Sequence, residues 1–466
     1  MTLASIPRYD GDRVGDRRGR AVVVGASIAG MLSARVLADA FEEVTVLDRD
    51  SLPDEPAPRR GVPQGNHPHS LWESGRATIE DLLPGFSEDL RGAGSVTSEL
   101  GADFKIYLQG DFLAPGTERH VMYFATRSLF EHLIRRRFLE DERIRLRPRC
   151  RLVEYLVDDD ESAVTGAMIR NQEHEREVLE ADLVVDATGR TSRTPAWLDA
   201  HGYESPTLDE IRIDLGYGST FLDRPPDDAR AFAVDAEAPN TRGAFVFPVE
   251  GDRWIFNLNG VHGDRPPTDV EGYAAFAANL PIPDVSELFD EHSTGSEEIV
   301  SYPFPSNRRY RYEDLERFPG GLLVVGDAIA SYNPTNGQGI SVAALQAVTL
   351  HHALASGDRA DLARRFFDRA GAVVDVAWDL TVGGDLAFPQ TEGPRPRGTT
   401  AFNWYLDRML RRAHTDGRVA DAAFRVFSLQ RPPSDLFRPR VVWRVLGPAP
   451  FAREARPRKP PRRRAA

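Results

Sequence analysis

Arg20-Ala21-Val22-Val23-Val24-Gly25-Ala26-Ser27-Ile28-Ala29-Gly30 is the stretch on which the reading of this 466-residue chain turns. Ala21 to Val24 is a short apolar run of the buried-strand kind. Gly25 permits a tight turn, and Gly30 lets a following helix pack close to the strand. Met31 to Phe41 has helical spacing and good helix formers, and Val44-Thr45-Val46-Leu47 reads as a second strand. Strand, turn, helix and strand make a βαβ unit, whose crossover is right-handed. The helix start offers free backbone N–H groups to a pyrophosphate. Asp48, 18 residues after Gly30, stands about where an acid reaches a ribose hydroxyl. Ser27 takes the place of the usual second glycine. The unit predicts dinucleotide binding through Gly25, Ser27, Gly30 and Asp48 without separating FAD from NAD; the bland alternative is a turn with no ligand.

Farther along the chain, Val121 to Thr126 leads into a helix from Ser128 to Leu139 and a strand near Ile144. Leu183-Val184-Val185 is again a buried strand. Ile211 to Leu222, Ala231 to Val234, Ala244 to Pro248 and Trp254 to Asn259 are rich in β-formers, with Glu250-Gly251-Asp252 suited to a hairpin turn. This middle block predicts a separate sheet. Leu322 to Val325 returns to the buried-strand type, Gly339 to Ala355 reads as a helix, and further helical pieces run from Asp361 to Arg440.

A second constellation follows the late strand. Gly326-Asp327 and then Asn333-Pro334-Thr335-Asn336-Gly337-Gln338-Gly339-Ile340 precede the long helix. A carboxylate in such a turn accepts hydrogen bonds from ribityl hydroxyls, and glycines let backbone N–H groups approach a ring carbonyl. A helix start there favours negative charge. Alone, the stretch also reads as a Gly-rich helix cap.

Together these stretches resemble the single-component FAD-dependent monooxygenases of the aromatic-hydroxylase and squalene-epoxidase type, and within them a bacterial branch that includes polyether epoxidases. The matching segments are Val22 to Asp48, Arg60 to Gln64 with His67 and His69, Thr126 to Leu129, Asp186 to Arg193, Pro248 to Trp254 and Gly326 to Ala347. The resemblance implies an α/β fold: an FAD-binding, Rossmann-like parallel sheet of the glutathione-reductase type, an antiparallel substrate sheet and a C-terminal helical region. It implies that Gly25, Ser27 and Gly30 cradle the pyrophosphate, Asp48 holds the adenosine ribose, Arg127 serves the pyrophosphate or ribityl chain, and Gly326 and Asp327 hold the ribityl chain. Pro334, Gly337, Gly339 and Ile340 would border the isoalloxazine. Relatives carry an Asp-Gly pair serving both FAD and a nicotinamide donor. Here Thr188 precedes Gly189, and Asp186, two residues earlier, is the candidate substitute.

The expected organisation is a disordered N-terminus (1–19), a discontinuous FAD-binding domain (20–75, 118–200 and 300–352), a substrate domain (76–117 and 201–299), a C-terminal helical region (353–450) and a basic disordered tail (451–466). The activity implied is hydroxylation or epoxidation of a small lipophilic organic molecule by molecular oxygen, through a flavin peroxide, with NAD(P)H as reductant. An FAD-dependent reductase or dehydrogenase acting on isoprenoid-like double bonds is the alternative, and a non-catalytic FAD-binding protein the second.

Composition narrows the field. The net charge of −13 includes a strongly basic tail, so the body is more acidic still, which opposes nucleic-acid binding. A single cysteine, Cys150, excludes an intrachain disulfide and a dithiol relay. No apolar run is long enough for a membrane span, and the polar N-terminus lacks the apolar stretch of a secretory signal. A cytoplasmic location is the expectation. No metal site is expected: His67 and His69, or His351 and His352, lack companions at ligand spacing. No catalytic side chain is assigned. Arg60, Gln64, His67 and His69 are candidates for positions near the flavin. Tyr217, Phe221, Phe245, Phe247, Trp254 and Phe256 are candidates for an apolar pocket, with core packing the simpler role for any one of them.

Overall fold

The structure is a computed structural model that describes residues 1–295 and 298–447. Its first layer is a five-stranded parallel sheet in the order Leu322–Val324, Leu183–Asp186, Arg20–Val24, Glu43–Leu47, Ile144–Arg147. These strands read as unbroken apolar runs because both faces are covered. Ala21, Val23, Val44, Val46, Val185 and Leu323 face helices that include Ile28–Leu37 and Gly339–Ala355. Val22, Val24, Val184 and Leu322 face a three-stranded antiparallel sheet of Arg151–Val157, Val164–Arg170 and Arg176–Glu180. The first helix begins at Ile28, earlier than its periodicity predicts, and ends at Leu37. The residues up to Phe41 form a turn instead, where Asp39 is held by Arg35 and by the Tyr9 hydroxyl.

The second layer is an eight-stranded sheet: Ala330–Ser331, Val300–Tyr310, Leu208–Asp223, Arg253–Gly260, Arg242–Val249, Ala231–Val234, Phe104–Leu108, Asp111–Phe112. Phe104–Leu108 pairs in parallel with Ala231–Val234, so part of the 76–117 segment shares a sheet with the 201–299 block. Val300–Tyr310, placed by sequence in the cofactor domain, is instead a strand of this sheet, paired with Leu208–Asp223. Alternate residues on three central strands point opposite ways. Phe232, Val234, Ala244, Val246, Trp254, Phe256 and Leu258 pack on the helices Val270–Ala277 and Pro283–His292. Their neighbours Ala233, Phe245, Phe247, Asn257 and Asn259 line a cavity between the layers.

Helices Leu362–Asp385, Thr399–Ala413, Gly417–Phe427 and Pro439–Leu446 follow, all four contributing to a core around Met409, Ala420 and Leu436. This mixed α/β architecture with a helical C-terminal region is the fold class expected. The N-terminal residues correct an expectation: Thr2 is fully buried, the Leu3 N–H donates to the Leu429 carbonyl, and Ile6 joins the core. Leu3, Ile6 and Tyr9, three residues apart, supply the apolar anchors that a disordered segment lacks. The basic tail at 451–466 lies outside the described residues. Among the described residues no helix is long and apolar enough to cross a membrane, and no His/Cys/Asp/Glu group could hold a metal ion.

Candidate active site

A cavity of about 1470 Å³ runs between the two layers. Ligand pockets usually measure about 300–1,000 Å³, so this one has room for a dinucleotide and a second molecule. At one end it meets the first turn. Gly25 has φ +115°, and a Cβ there would lie 2.4 Å from the Ala187 carbonyl oxygen. A Cβ on Gly30 would lie 1.9 Å from the Gly25 carbonyl oxygen, so only glycine lets this helix sit so close.

Ser27, just before that helix, enters a charged network. Its hydroxyl donates to Glu131 Oε1 at 2.8 Å and accepts from Arg127 Nη2 at 2.7 Å. Arg127 opens the Arg127–Phe138 helix, whose start is fixed by the Thr126 side chain accepting from the Leu129 N–H. One turn on, Glu131 also accepts from Arg59 Nε at 3.0 Å. Burial pulls the Glu131 carboxyl up, but Arg127, Arg59 and Ser27 outweigh it and hold it below the ordinary range. Asp48 accepts from the Ala26 and Asp50 N–H groups at 2.8 and 2.9 Å and from Arg59 Nη1 at 3.1 Å. Sequence reasoning singled out Arg60, which is exposed and outside the cavity lining, and missed Arg59 beside it. It also missed Glu131, although a carboxylate four residues after Arg127 on a helix is a readable pair.

The Asp186 carboxylate is engaged by its own turn. It accepts from the Thr188 N–H and hydroxyl at 2.9 and 2.6 Å, from Ser192 Oγ at 2.5 Å and from Thr194 Oγ1 at 2.6 Å. With four hydrogen bonds from residues 188, 192 and 194, it fastens the loop that contains Gly189 at the edge of the cavity.

Asp327 is the opposite case. Its side chain opens into the cavity, and no described residue donates a hydrogen bond to it. Enclosure pushes its carboxyl up, while Arg127 and Arg190 pull it down. Gly326 before it has φ +67°, and its N–H donates to Gln346 Oε1 at 2.7 Å. Pro334, Gly337, Gly339 and Ile340 line the next part of the cavity. A Cβ on Gly339 would meet nothing within 4 Å, so the first turn of Gly339–Ala355 faces open space. Around it Trp72 Nε1, Gln338 Oε1 and Ser341 Oγ are buried without partners. A carboxylate without a donor, an open helix start and unpaired polar atoms beside it are what a polar ring and a hydroxylated chain require. The residues therefore fit the group that the sequence implies.

Further in, Gln64, His67 and His69 line the cavity. His67 Nδ1 lies 2.7 Å from Ser219 Oγ, and its Nε2 has no partner. Burial lowers His67 to about 4, and burial followed by Arg127 lowers His69 to about 3, so both rings are neutral at pH 7. Tyr217, Phe245 and Phe247 face the cavity, whereas Trp254 and Phe256 belong to the core behind the sheet and Phe221 is covered by Arg253. Asp385, which no spacing in the sequence marks, accepts from Asn307 Nδ2 at 2.7 Å and Asn333 Nδ2 at 2.9 Å.

A parallel nucleotide-binding sheet joined through one cavity to an antiparallel sheet defines a flavoprotein of the two-sheet kind. The FAD binding domain family matches residues 138–368. Protein Rv3254 of Mycobacterium tuberculosis (strain ATCC 25618 / H37Rv) is 35% identical over 435 residues, covering 90% of this chain and 91% of that one. The fold is shared with the flavin-dependent brominase Bmp2 (16% identity, 88% of this chain and 93% of that chain, TM-score 0.61). It is shared also with PqsL from Pseudomonas aeruginosa (17%, 79% and 97%, 0.60) and with 2-methyl-3-hydroxypyridine-5-carboxylic acid oxygenase (19%, 90% and 98%, 0.57). The chain belongs to the same family as Protein Rv3254 and carries the FAD binding domain over residues 138–368.

Proposed function

We propose that this chain hydroxylates or epoxidises a small lipophilic organic molecule, using FAD, molecular oxygen and electrons from NAD(P)H. The observation that carries the reading is one cavity lined both by the Gly25 turn and by Phe245 and Phe247. Gly25, Ser27 and Gly30 would hold the pyrophosphate at the helix start, with Arg127 and Arg59 balancing its charge. Asp48 would hold the adenosine ribose, Gly326 and Asp327 the ribityl chain, and Gly189 would border the same passage. Pro334, Gly337, Gly339 and Ile340 would border the ring, whose negative charge on reduction the helix start favours.

When bound, FAD supplies the electron transfer and the oxygen activation; the protein supplies orientation and a dry enclosure. The phenylalanine wall excludes water and holds an apolar substrate. His67, neutral and fixed through Nδ1, offers Nε2 as a hydrogen-bonding group inside that enclosure.

The test uses the FAD-loaded protein, reduced chemically so that the electron donor is not limiting, and then mixed with isotopically labelled O₂ and candidate lipophilic substrates. The expected product carries one labelled oxygen atom from O₂ and none from water. Anaerobic saturation of a double bond without label under air would overturn the reading in favour of a reductase.

A further inference from the structure

The cavity face of the eight-stranded sheet is apolar over Phe104, Ile106, Phe245 and Phe247, and polar at one corner. Register puts Gly243 beside Asn259. Val234 pairs with Ala244, and Asp235 follows directly. A Cβ on Gly243 would lie 2.5 Å from the Val234 carbonyl oxygen, 2.9 Å from Asn259 Oδ1 and 3.0 Å from the Ala236 nitrogen. Gly243 thus lets Asn259 Oδ1 and the backbone on either side of Asp235 approach one another closely. Thr381, which lines the same cavity, lies one turn before Asp385 on the Leu362–Asp385 helix, and Asp385 acts electrostatically on Asp235.

The polar groups of this corner lack partners. Asn259 and Thr381 are each 1% exposed, and neither Asn259 Oδ1 nor Thr381 Oγ1 has a hydrogen bond. No described residue donates to the Asp235 carboxylate. Burial, then Glu237 and Asp385, push that carboxyl up to about 7. Asp235, Glu237, Asp385 and Asp407 all line the cavity, and the nearby Arg411 is held by Asp407. The corner is therefore rich in acceptors and short of positive charge. Buried acceptors and an unpaired acid are unfavourable in an otherwise apolar wall unless a ligand donates to them.

We propose that the corner formed by Asp235, Asn259 and Thr381 binds the amino head of a lipophilic amine, whose apolar body lies along the phenylalanine wall. An ammonium group brings three N–H donors and a positive charge to two neutral acceptors, Asn259 Oδ1 and Thr381 Oγ1, and the Asp235 carboxylate. An alcohol brings one donor and no charge, and a carboxylate is repelled. The inference rests on the cavity being the substrate pocket of the proposed enzyme.

Octylamine, octanol and octanoate distinguish these head groups at constant chain length. Each is titrated calorimetrically into the FAD-loaded full chain under nitrogen, without reductant, so that no turnover is needed. The amine should bind at least about tenfold more tightly than either of the others, the size of one charged hydrogen bond. Asp235→Asn should remove that preference and leave octanol affinity unchanged. Equal or tighter binding of octanol or octanoate, no amine binding, or a preference that survives Asp235→Asn overturns the proposal. Should Asp235→Asn fail to fold, the ranking in the natural chain decides. Amine binding without labelled product would count against the oxygenation reading alone.

Discussion

Asn333 Nδ2 donates to Asp385 Oδ1 at 2.9 Å, across 52 residues of sequence. This bond ties the loop before the Gly339–Ala355 helix to the end of the Leu362–Asp385 helix. Asn307 Nδ2 holds the other oxygen of the same carboxylate and, through its Oδ1, the Asn333 N–H. The loop expected to border the flavin ring is thus positioned by a triangle of buried polar groups. Asp385→Ala should loosen it. FAD should bind roughly tenfold more weakly, because buried polar groups left unpaired cost about 1–3 kcal/mol. Titration of apoprotein with FAD measures this, and an unchanged affinity would dismiss the positioning role.

Asp327 and Asp186 should respond in opposite ways. Asp327→Ala removes a carboxylate with no protein partner, so the melting temperature of the apoprotein should hold or rise. FAD affinity should fall by roughly one to two decades, the loss of a charged hydrogen bond. A fall in apoprotein stability with unchanged FAD affinity would reverse the assignment.

Asp186→Ala breaks four hydrogen bonds that a buried carboxylate makes to one partly exposed turn. It should destabilise the apoprotein by about 2–4 kcal/mol, before any cofactor is added. Thermal denaturation without FAD reads this directly. A change below about 0.5 kcal/mol would show that the turn holds itself.

Gly30→Ala places a methyl group against the Gly25 carbonyl, which is backbone and cannot rotate away. The helix must lift from the strand. Overpacking of this kind typically costs about 1–3 kcal/mol, and FAD retention on gel filtration should be lost. Retention of both stability and flavin would show that the helix relaxes freely.

The Asp235 carboxyl is raised in the folded protein to about 7 by burial, Glu237 and Asp385. Its contribution to stability is complete below the unfolded value near 4 and is lost as pH rises through 7. Asp235→Asn cannot ionise. The variant should therefore gain on the natural chain between pH 4 and 8, by on the order of 1–3 kcal/mol. Melting curves of both proteins at pH 5 and pH 8 test the sign. A difference that does not change with pH would reject it.

The parallel unit was legible because Arg20 to Asp48 completes itself locally: the strands, turn and helix are contiguous. The Val300–Tyr310 strand was not, because Pro303 and Pro305 argue against a strand interior. They are tolerated here because that stretch pairs only with Leu208–Asp223, while the partner on the other side, Ala330–Ser331, reaches only Arg308 and Arg309. The fastening role of Asp186 was not legible, because its spacing from Gly189 is visible while its hydrogen bonds are not. The hydroxyls of Thr188, Ser192 and Thr194 were in plain sight as a turn pattern. Asp235, Asp385 and Asn307 meet only through long-range packing, and no local spacing announces them.

The alternation along Ala231–Val234, Arg242–Val249 and Arg253–Gly260 divides labour between neighbours in the chain. Residues 233, 245, 247, 257 and 259 meet the cavity, and 232, 234, 244, 246, 256 and 258 meet the helices behind. Point substitution at the first set alters the cavity wall and leaves the packing of the second set on the helices in place. A single-residue insertion or deletion in any of these strands would exchange the two sets at once. These strands thus tolerate replacement better than a change of length, and libraries aimed at new specificity belong on the five cavity positions.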